Sequence, residues 1–501
     1  MRKARASAPV AIVDIGSNSG RVAVYARDAA GQLTMLASTR AALRLVNDVD
    51  DDRRLSDESI ARTLEALHDF KAVAWGAGAR RVVAIATAAM RDADNGPELI
   101  RRIRREVGVR VEVIDGDREA RYGFLGAVRG LPVDHGALFD LGGGSMQVSR
   151  FERRRLGKDW SLPLGALRLS NRFLDQDPPS GRDVARLCDY VSRKLVKAGI
   201  GPLRPGDALV GTGGTVRNLA KVDRAARDYP VRRLHGYQLG RKQVTEIARM
   251  LAARRLAQRE RVPGLSDERG DSIVGGAFAI LTLMEHLGAE RLIVSGQGVR
   301  EGLAHSLLGG QLPSPSQVRN ASVLSLASRF STWHPDAALR RRAIGDALQA
   351  RLDPRAPGEL REALAYAAVL LDLGRALDFF DRYEHVADMV EQTELLGFSH
   401  RQLALVAAVL RAARSRQGTT KGPLLEPHDR AGVARAGLLL ALADDIDERC
   451  PPKGPVTLRI AVTRKTAAVT VPRLIAWRPR TVGARFAKLF GRELIVRPGR
   501  R

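Results

Sequence analysis

The chain has 501 residues, of which 45% are hydrophobic and 28% are charged. This composition excludes an intrinsically disordered chain, and the length exceeds what one hydrophobic core usually supports, so we expect a soluble globular protein of two to four domains. The formal net charge of +26 favours polyanionic partners such as nucleic acid, polyphosphate or anionic lipid. Most of the basic residues are arginine and alanine is abundant, so GC-rich coding alone is an alternative explanation of the charge.

Cysteine usage and hydropathy indicate the compartment. The two cysteines, Cys188 and Cys450, lie far apart and form no CxxC motif, which argues against a disulfide framework or a cysteine metal site. The first apolar run, Val10 to Val13, ends at Asp14 and is too short for a signal peptide or a membrane span. We therefore expect a cytoplasmic protein that does not act in a membrane.

Strand, glycine loop and helix alternate through the first 300 residues, and helical spacing dominates afterwards. This change predicts four regions with a linker at 309–316. They are a first lobe at 1–132, a second lobe at 133–312, a helical domain at 313–453 and a small α+β region at 454–501. Individual elements are predicted as strands within 9–26 and at 33–38, 81–86, 111–114, 137–140, 146–151, 208–210, 292–294, 456–462 and 467–471, and helices at 57–77, 97–107, 181–198 and 481–490, with a further helix beginning near 299.

One loop type occurs twice, each time directly after a strand-like run. The first copy is Asp14 to Ser19 (DIGSNS) and the second is Asp140 to Ser145 (DLGGGS). A carboxylate at a strand end can hold a metal, and the glycines and serines after it offer backbone N–H groups and hydroxyls to an anion. Two such loops predict a clamp on one phosphate chain.

Three further segments carry phosphate-type chemistry. A glycine loop alone is more often a tight turn, and a single arginine is usually a solvated charge. Because three such segments recur after strands in this chain, they favour a phosphate site. The segments are Gly211 to Thr215 with Arg217, Ala86 to Arg91, and Ser295 to Gly298 before Arg300.

Four segments follow one another in the chain: Asp14 to Arg21 (DIGSNSGR), Ala86 to Asn95 (ATAAMRDADN), Gly116 to Arg121 (GDREAR) and Asp140 to Ser145 (DLGGGS). With these segments, the chain resembles the exopolyphosphatase and guanosine pentaphosphate phosphatase family over about residues 9–305. The resemblance implies two duplicated actin/hexokinase-like (ribonuclease H-like) α/β lobes with a cleft between them, followed by an all-α HD-like domain and a small α+β appendage.

The resemblance also implies roles for residues. Glu119 matches the carboxylate regarded as the general base, Arg91 matches a phosphate-binding arginine, and Asp14 and Asp140 would hold Mg²⁺. For an arbitrary glutamate at the position of Glu119, a helix-start carboxylate favoured by the helix dipole is the plainer interpretation. The phosphate-binding residues expected from the loops are Gly16, Ser17, Asn18, Ser19, Arg21, Gly142, Gly143, Gly144, Ser145, Gly213, Gly214, Thr215 and Arg217.

Two departures from the family pattern qualify these expectations. Gln147 stands where the family usually has a glutamate, so a charge that would help bind metal or activate water is missing. In the HD-like region, Leu371 takes the place of the histidine of the His-Asp pair, so we do not expect His385, Asp372 and Asp444 to form a metal centre. A role in dimerisation or in a polyanion channel is the expectation for that domain.

The first hypothesis is therefore an Mg²⁺-dependent exopolyphosphatase that acts on inorganic polyphosphate. The alternatives are a guanosine pentaphosphate 5′-phosphohydrolase and a catalytically impaired polyphosphate- or nucleotide-binding regulator. A sugar or acid kinase is disfavoured by the Gly116 to Arg121 and Ala86 to Asn95 segments. Aromatic residues make up only 5% of the chain, which disfavours single-stranded nucleic acid as a partner, and a homodimer is expected.

Overall fold

The computed structural model describes residues 7–45, 48, 53–308, 312–414, 423–451, 454, 456–475 and 477–499. The chain divides into two compact units. One holds the residues up to Arg227 together with Leu234–Val318, and the other holds Asp228–Arg233 and the chain from Arg319 onward. Within the described residues, no helix is both long enough and apolar enough to cross a membrane.

The first unit contains two sheets built on the same plan. Their strands are β1 (Val10–Ile15), β2 (Ser19–Arg27), β3 (Leu33–Ala42), β4 (Arg81–Ala86), β5 (Val111–Val113), β6 (Gly136–Leu141), β7 (Met146–Glu152), β8 (Arg155–Leu162), β9 (Ala208–Gly213), β10 (Gln238–Gly240) and β11 (Arg291–Val294). The first sheet has the strand order β3-β2-β1-β4-β5, and the second repeats it as β8-β7-β6-β9-β11, with β10 added at the edge. Corresponding pairs run in the same sense: β1/β2 and β6/β7 are antiparallel, and β1/β4 and β6/β9 are parallel. This repeat confirms the prediction of two duplicated α/β lobes.

The central strands β1 and β6 are apolar and buried on both faces because helices cover the sheets. Local capping sets where several of these helices begin. The Ser56 side chain accepts a hydrogen bond from Ser59 N, and the Asp115 side chain accepts one from Arg118 N. The helices of this unit are Asp57–Gly76, Ala88–Asp92, Gly96–Arg102 with a π-helical extension Ile103–Val107, Gly116–Arg129, Ala166–Phe173, Gly181–Lys197, Gly214–Ala225, Arg241–Ala252, Leu256–Arg259, Ile273–Leu287 and Val299–Leu308, with a 3₁₀ turn at Asp267–Arg269.

The two lobes exchange one helix each, which the predicted boundaries at 132 and 312 do not describe. Gly116–Arg129 belongs to the first lobe by sequence but packs Phe124 and Val128 against the second sheet. Val299–Leu308 comes last but packs Leu303 against the first sheet. The two helices cross so closely that a Cβ on Gly302 would lie 1.8 Å from Tyr122 O.

The second unit has one hydrophobic core that joins its helices to the C-terminal sheet. Val469 of the sheet and Phe486 of the last helix belong to the same buried cluster as Leu405 and Leu439. Residues 309–311 of the predicted linker lie outside the described residues, whereas Pro315 and Ser316 already begin a helix. The helices are Pro315–Ala327, Pro335–Leu352, Gly358–Leu370, Arg382–Gln392, His400–Arg414, Asp429–Asp447 and Arg480–Phe490, with a 3₁₀ helix at Leu371–Ala376, and the strands are β12 (Arg459–Val462), β13 (Thr466–Pro472) and β14 (Glu493–Gly499).

An arginine lies among the acidic residues of the HD-like region. Arg341 is 2% exposed, and its guanidinium lies 2.9 Å from Asp372 Oδ2 and 2.9 Å from Asp444 Oδ1. Asp447 lies 3.6 Å from the same guanidinium, and Arg382 pairs with Asp444 at 2.6 Å. A buried carboxylate requires a positive partner, and here guanidinium groups supply it.

Candidate active site

The two Asp-led loops have the same geometry and face one pocket. Gly16 N donates to Ser19 O at 3.2 Å, and Gly142 N donates to Ser145 O at 3.0 Å, so each loop closes through the same backbone hydrogen bond. The loops also touch each other, since a Cβ on Gly143 would lie 2.9 Å from Asn18 Cβ. The two loops that are duplicated in the sequence therefore form the two walls of one cleft.

A third loop reaches the same pocket between β9 and the helix Gly214–Ala225. Gly213 has φ of +106° and ψ of 169°, a conformation that only glycine adopts readily. A side chain there would lie 2.3 Å from Leu141 O and 3.1 Å from Asp140 Oδ1. At Gly214 a Cβ would lie 2.5 Å from the Arg269 guanidinium. These glycines leave room for the functional groups beside them.

The pocket lies within the first unit and is lined by three carboxylates, four arginines and the backbone of the three loops. Its lining holds no aromatic side chain among the described residues. The lining residues are Asp14, Gly16, Ser17, Asn18, Ser19, Arg21, Thr87, Glu119, Asp140, Leu141, Gly142, Gly143, Ser145, Thr212, Gly213, Gly214, Arg217, Arg269, Gly298, Val299 and Arg300.

The three carboxylates hold protons more tightly than exposed ones do. Burial, followed by the charges of Asp140 and Asp14, raises the pKa of Glu119 to about 8, while Arg91 opposes the rise. Burial raises the pKa of Asp140 to about 6, and it also raises the pKa of Asp14. Glu119 Oε2 is buried and has no hydrogen-bond partner within the described residues. Such an oxygen is open to a water, a proton or a cation.

The four arginines of the lining place positive charge in the same pocket. Burial, and then the charge of Arg300, lowers the pKa of Arg21 and of Arg217 to about 10. Arg300 is stabilised by its neighbour: burial opposes its charge, but the Glu301 carboxylate raises its pKa. Glu301 is itself held by Gly298 N at 2.8 Å and by the Tyr25 hydroxyl. Closely spaced guanidinium groups that repel one another form a site for a multiply charged anion.

Three of the expected site residues lie outside the lining. Arg91 Nη1 donates to Ile114 O, directly after β5, at 2.8 Å, and its charge acts on Glu119. Gly144 belongs to the second loop but packs against Gly165, since a Cβ on Gly165 would lie 2.3 Å from the Gly144 carbonyl carbon. Thr215 is 1% exposed because its side chain packs at Gly276. Arg91 acts on the site through the charge of Glu119, and the other two support the loops.

Arg300 and Arg269 also line the pocket; the sequence placed Arg300 beside a phosphate-type loop without naming it as a site residue, and it named no role for Arg269. Arg300 follows a strand and a glycine loop, which is the pattern that pointed to the other loops, so the signal was present. Arg269 lies in the 3₁₀ turn Asp267–Arg269, far from any strand end. Only the packing of this turn at Gly214 brings it to the site.

Gln147 lies behind the second loop. It pairs with Asp140 across β6 and β7, is 4% exposed, and is absent from the pocket lining. Its Nε2 donates to Ser145 Oγ at 2.8 Å, which fixes the position of that hydroxyl. The residue therefore supports the loop without adding charge to the cleft.

The sequence of the chain is similar to that of a known phosphatase family. The model of the Ppx/GppA phosphatase family matches residues 24–310. Exopolyphosphatase 1 of Mycobacterium tuberculosis is 31% identical over 319 residues, which cover 62% of this chain and 92% of that protein. Exopolyphosphatase 1 of Mycobacterium leprae is 32% identical over 299 residues, which cover 58% of this chain and 87% of that protein.

Solved structures agree with the fold of the first unit. The crystal structure of the Aquifex aeolicus Ppx/GppA family member is 31% identical, with a TM-score of 0.53, and the match covers 61% of this chain and 98% of that chain. An exopolyphosphatase from Cytophaga hutchinsonii is 24% identical, with a TM-score of 0.55 over 61% of this chain and 100% of that one, and supports the fold alone. These matches confirm the predicted fold of the two lobes, while the HD-like nature of the helical domain stays a prediction.

Proposed function

Since the chain belongs to the Ppx/GppA phosphatase family, we propose that it is an exopolyphosphatase that releases the terminal phosphate of inorganic polyphosphate. Family membership makes it a phosphoanhydride hydrolase. The observation that supports the substrate is the cleft itself, where Glu119 and two aspartates face four arginines across the phosphate-type loops.

The loops and arginines bind the phosphoryl groups. The backbone of Ser17–Ser19, Gly143 and Ser145 borders the pocket, and the Arg21, Arg217 and Arg300 guanidinium groups offset charge on the phosphate oxygens. Phosphoryl transfer to water needs little covalent chemistry from the protein, so positioning and charge compensation supply most of the rate.

The donor set fits Mg²⁺. This ion prefers carboxylate oxygens and typically uses one or two protein carboxylates, taking its other ligands from water and substrate phosphate. Asp14 and Asp140 would hold it. Within the described residues no three His, Cys, Asp or Glu side chains are grouped to hold a metal ion, so the remaining ligands of the proposed ion would be water and substrate phosphate. When bound, Mg²⁺ neutralises charge on the transferring phosphoryl group.

Glu119 is the proposed general base. It accepts a proton from the attacking water as the water oxygen bonds to the terminal phosphorus and the bridging P–O bond breaks. The products are inorganic phosphate and a chain one unit shorter. Because only the deprotonated carboxylate can accept the proton, hydrolysis should rise with pH through the pKa of Glu119, which is about 8 in the free cleft.

The lining favours polyphosphate over guanosine pentaphosphate. Nucleotide bases are commonly held by stacking on aromatic side chains, and the described lining residues include none. The triphosphate end of guanosine pentaphosphate would meet the same loops, so that activity is the alternative within the same site.

A phosphate-binding regulator with impaired catalysis is the second candidate, and Gln147 is the observation that favours it. The residue is neutral, and its amide is already used to hold Ser145. A protein of this kind would bind polyphosphate without releasing phosphate.

The test is release of inorganic phosphate from long-chain polyphosphate and from guanosine pentaphosphate, with and without Mg²⁺. The Glu119→Gln variant should lose at least about 100-fold in kcat, the lower end of the effect of general-base catalysis. Glu98→Gln, an exposed glutamate of the same lobe, is the matched control and should retain full activity.

Release that depends on Mg²⁺ and is lost in Glu119→Gln would support the hydrolase and identify its substrate. Equal activity in both variants would refute Glu119 as the base. Tight polyphosphate binding without release by the wild-type protein would select the regulator.

A further inference from the structure

The helix Gly214–Ala225 begins in the cleft and continues away from it with one basic edge. Seven of its residues are buried, from Thr215 to Asp223. The charged residues that stay partly exposed are Arg217, Lys221 and Arg224, spaced four and three positions apart. This spacing places them on one face of the helix, so they form a continuous basic stripe.

The stripe starts at a residue of the site. Arg217 lines the pocket, and Lys221 and Arg224 follow at successive turns. A helix rises 1.5 Å per residue, so the stripe extends about 10 Å along the axis from Arg217 to Arg224. The geometry thus continues the anion-binding surface beyond the phosphate that is hydrolysed.

No ion pair within hydrogen-bond distance neutralises the stripe in the described part of the chain, although the carboxylates of Asp140 and Glu301 act on Arg217 from the cleft. Neither Arg217, Lys221 nor Arg224 has an ion pair there, and the polar contact of Lys221 is a long one, Nζ to Ser266 Oγ at 3.5 Å. Burial, then the charges of Arg217, Arg40, Arg224 and Arg21, lowers the pKa of Lys221. The charges that act most strongly on Lys221 are therefore those of arginines.

Three acidic groups near the stripe, Asp223, Glu268 and Asp271, are already paired with arginines. Asp223, on the buried side of the helix, pairs with Arg227 at 3.1 Å and accepts a hydrogen bond from the Tyr237 hydroxyl at 2.7 Å. Glu268, in the turn Asp267–Arg269, pairs with Arg40 at 3.2 Å. Asp271 likewise pairs with Arg44, at 3.3 Å. Partly buried cations that the protein leaves unpaired are best satisfied by a ligand that carries repeated negative charge.

We propose that Lys221 and Arg224 bind the phosphates that follow the hydrolysed one, and so act as specificity residues for long linear polyphosphate. This inference rests on the proposed function and deepens it. A chain whose end lies in the cleft would pass Arg217 and lie along the helix, whereas tripolyphosphate is held mainly in the pocket. The stripe should therefore affect the binding of long chains and leave the hydrolytic step unchanged.

The test compares long-chain polyphosphate with tripolyphosphate as substrates of K221Q, R224Q and the double variant. With half-exposed charges each contributing modestly, the double variant should raise KM for long chains roughly 3- to 10-fold at unchanged kcat, with little effect on tripolyphosphate. K221R, which keeps the charge, should retain the wild-type KM. The double variant K242Q/R249Q removes the same charge from the neighbouring helix Arg241–Ala252 and is the matched control.

An equal loss on both substrates, or a loss equal to that of K242Q/R249Q, would overturn the proposal. Binding of long-chain polyphosphate is measured in parallel in the Glu119→Gln background, with and without the stripe substitutions. If the wild-type protein releases no phosphate from any chain, the hydrolase proposal fails. The binding role of Lys221 and Arg224 is still tested separately, because a Kd for long chains that K221Q/R224Q leaves unchanged would refute it. A weaker Kd with a smaller salt dependence would support it.

Discussion

Gly213 is the position where one methyl group should affect both stability and activity. Its φ of +106° and ψ of 169° lie outside the regions open to residues with a side chain. In Gly213→Ala the new Cβ would lie 2.3 Å from Leu141 O, an atom of the adjacent parallel strand, and 3.1 Å from Asp140 Oδ1. Neither neighbour is the flexible end of a long side chain, so the strand ends must separate.

The magnitude follows from two costs. A residue forced into such a conformation costs about 1–3 kcal/mol. Steric overlap in a packed region costs about 1–3 kcal/mol more. Gly213→Ala should therefore lower the free energy of unfolding of the first unit by about 2–6 kcal/mol if the strained backbone is kept. Displacement of the loop that follows β6 should also reduce kcat by up to about 100-fold, since catalytic groups tolerate little misplacement.

The assay is urea denaturation followed by circular dichroism, together with phosphate release at saturating polyphosphate. Gly201→Ala is the control, because its added Cβ would have no neighbour within 4 Å. That variant should stay within about 0.5 kcal/mol of the wild-type protein, as most unconstrained surface changes do. A Gly213→Ala protein with the control's urea midpoint and full activity would refute the reasoning.

Three further predictions concern buried charge. The folded-state pKa of Glu119, about 8, lies above its ordinary value of 4.5, so the folded wild-type protein loses stability as pH rises from 4.5 to 8. Without Mg²⁺, Glu119→Gln should therefore unfold at a higher temperature than the wild-type protein at pH 8 and at the same temperature near pH 4. Thermal denaturation at the two pH values is the measurement. Gln147→Glu removes the donor to Ser145 and adds a buried charge, so it should lower stability by about 1–3 kcal/mol without Mg²⁺, and by less with it; equal losses in both conditions would contradict a metal nearby. Arg341→Ala removes the central cation shared by three buried aspartates, which keep one arginine each, Arg375 for Asp372, Arg382 for Asp444 and Arg340 for Asp447. The substitution leaves excess buried negative charge and should cost about 3–5 kcal/mol in urea denaturation. Arg342→Ala breaks a half-exposed ion pair and should cost about 1 kcal/mol or less; similar losses in the two variants would show that the buried network contributes little.

Local sequence was sufficient for most strands of the two lobes and for four of their helices. The strand predicted at 81–86 is β4, Arg81–Ala86, and the helix predicted at 57–77 is Asp57–Gly76. Both have strong signals, a short β-branched run in one case and a capped apolar face in the other. The helix predicted at 97–107 is α-helical only to Arg102 and continues as a π-helix, a distinction that hydrophobic spacing does not contain. Strand β8, with its mixed polar pattern, was missed, and so were the short edge strand β10 and helices such as Gly214–Ala225 and Ile273–Leu287.

The sequence by itself determined that Asp14 and Asp140 end equivalent strands and that glycine-rich backbone follows each, because strand ends and turn residues are local properties. Only the tertiary structure decided which charges share the cleft. Arg269 comes from a 3₁₀ turn, Arg91 affects Glu119 from outside the pocket lining, and the helices that cross at Gly302 pack each lobe against the other's sheet. These juxtapositions depend on packing between elements far apart in the chain, and pKa shifts such as that of Glu119 arise from burial, which no local pattern specifies.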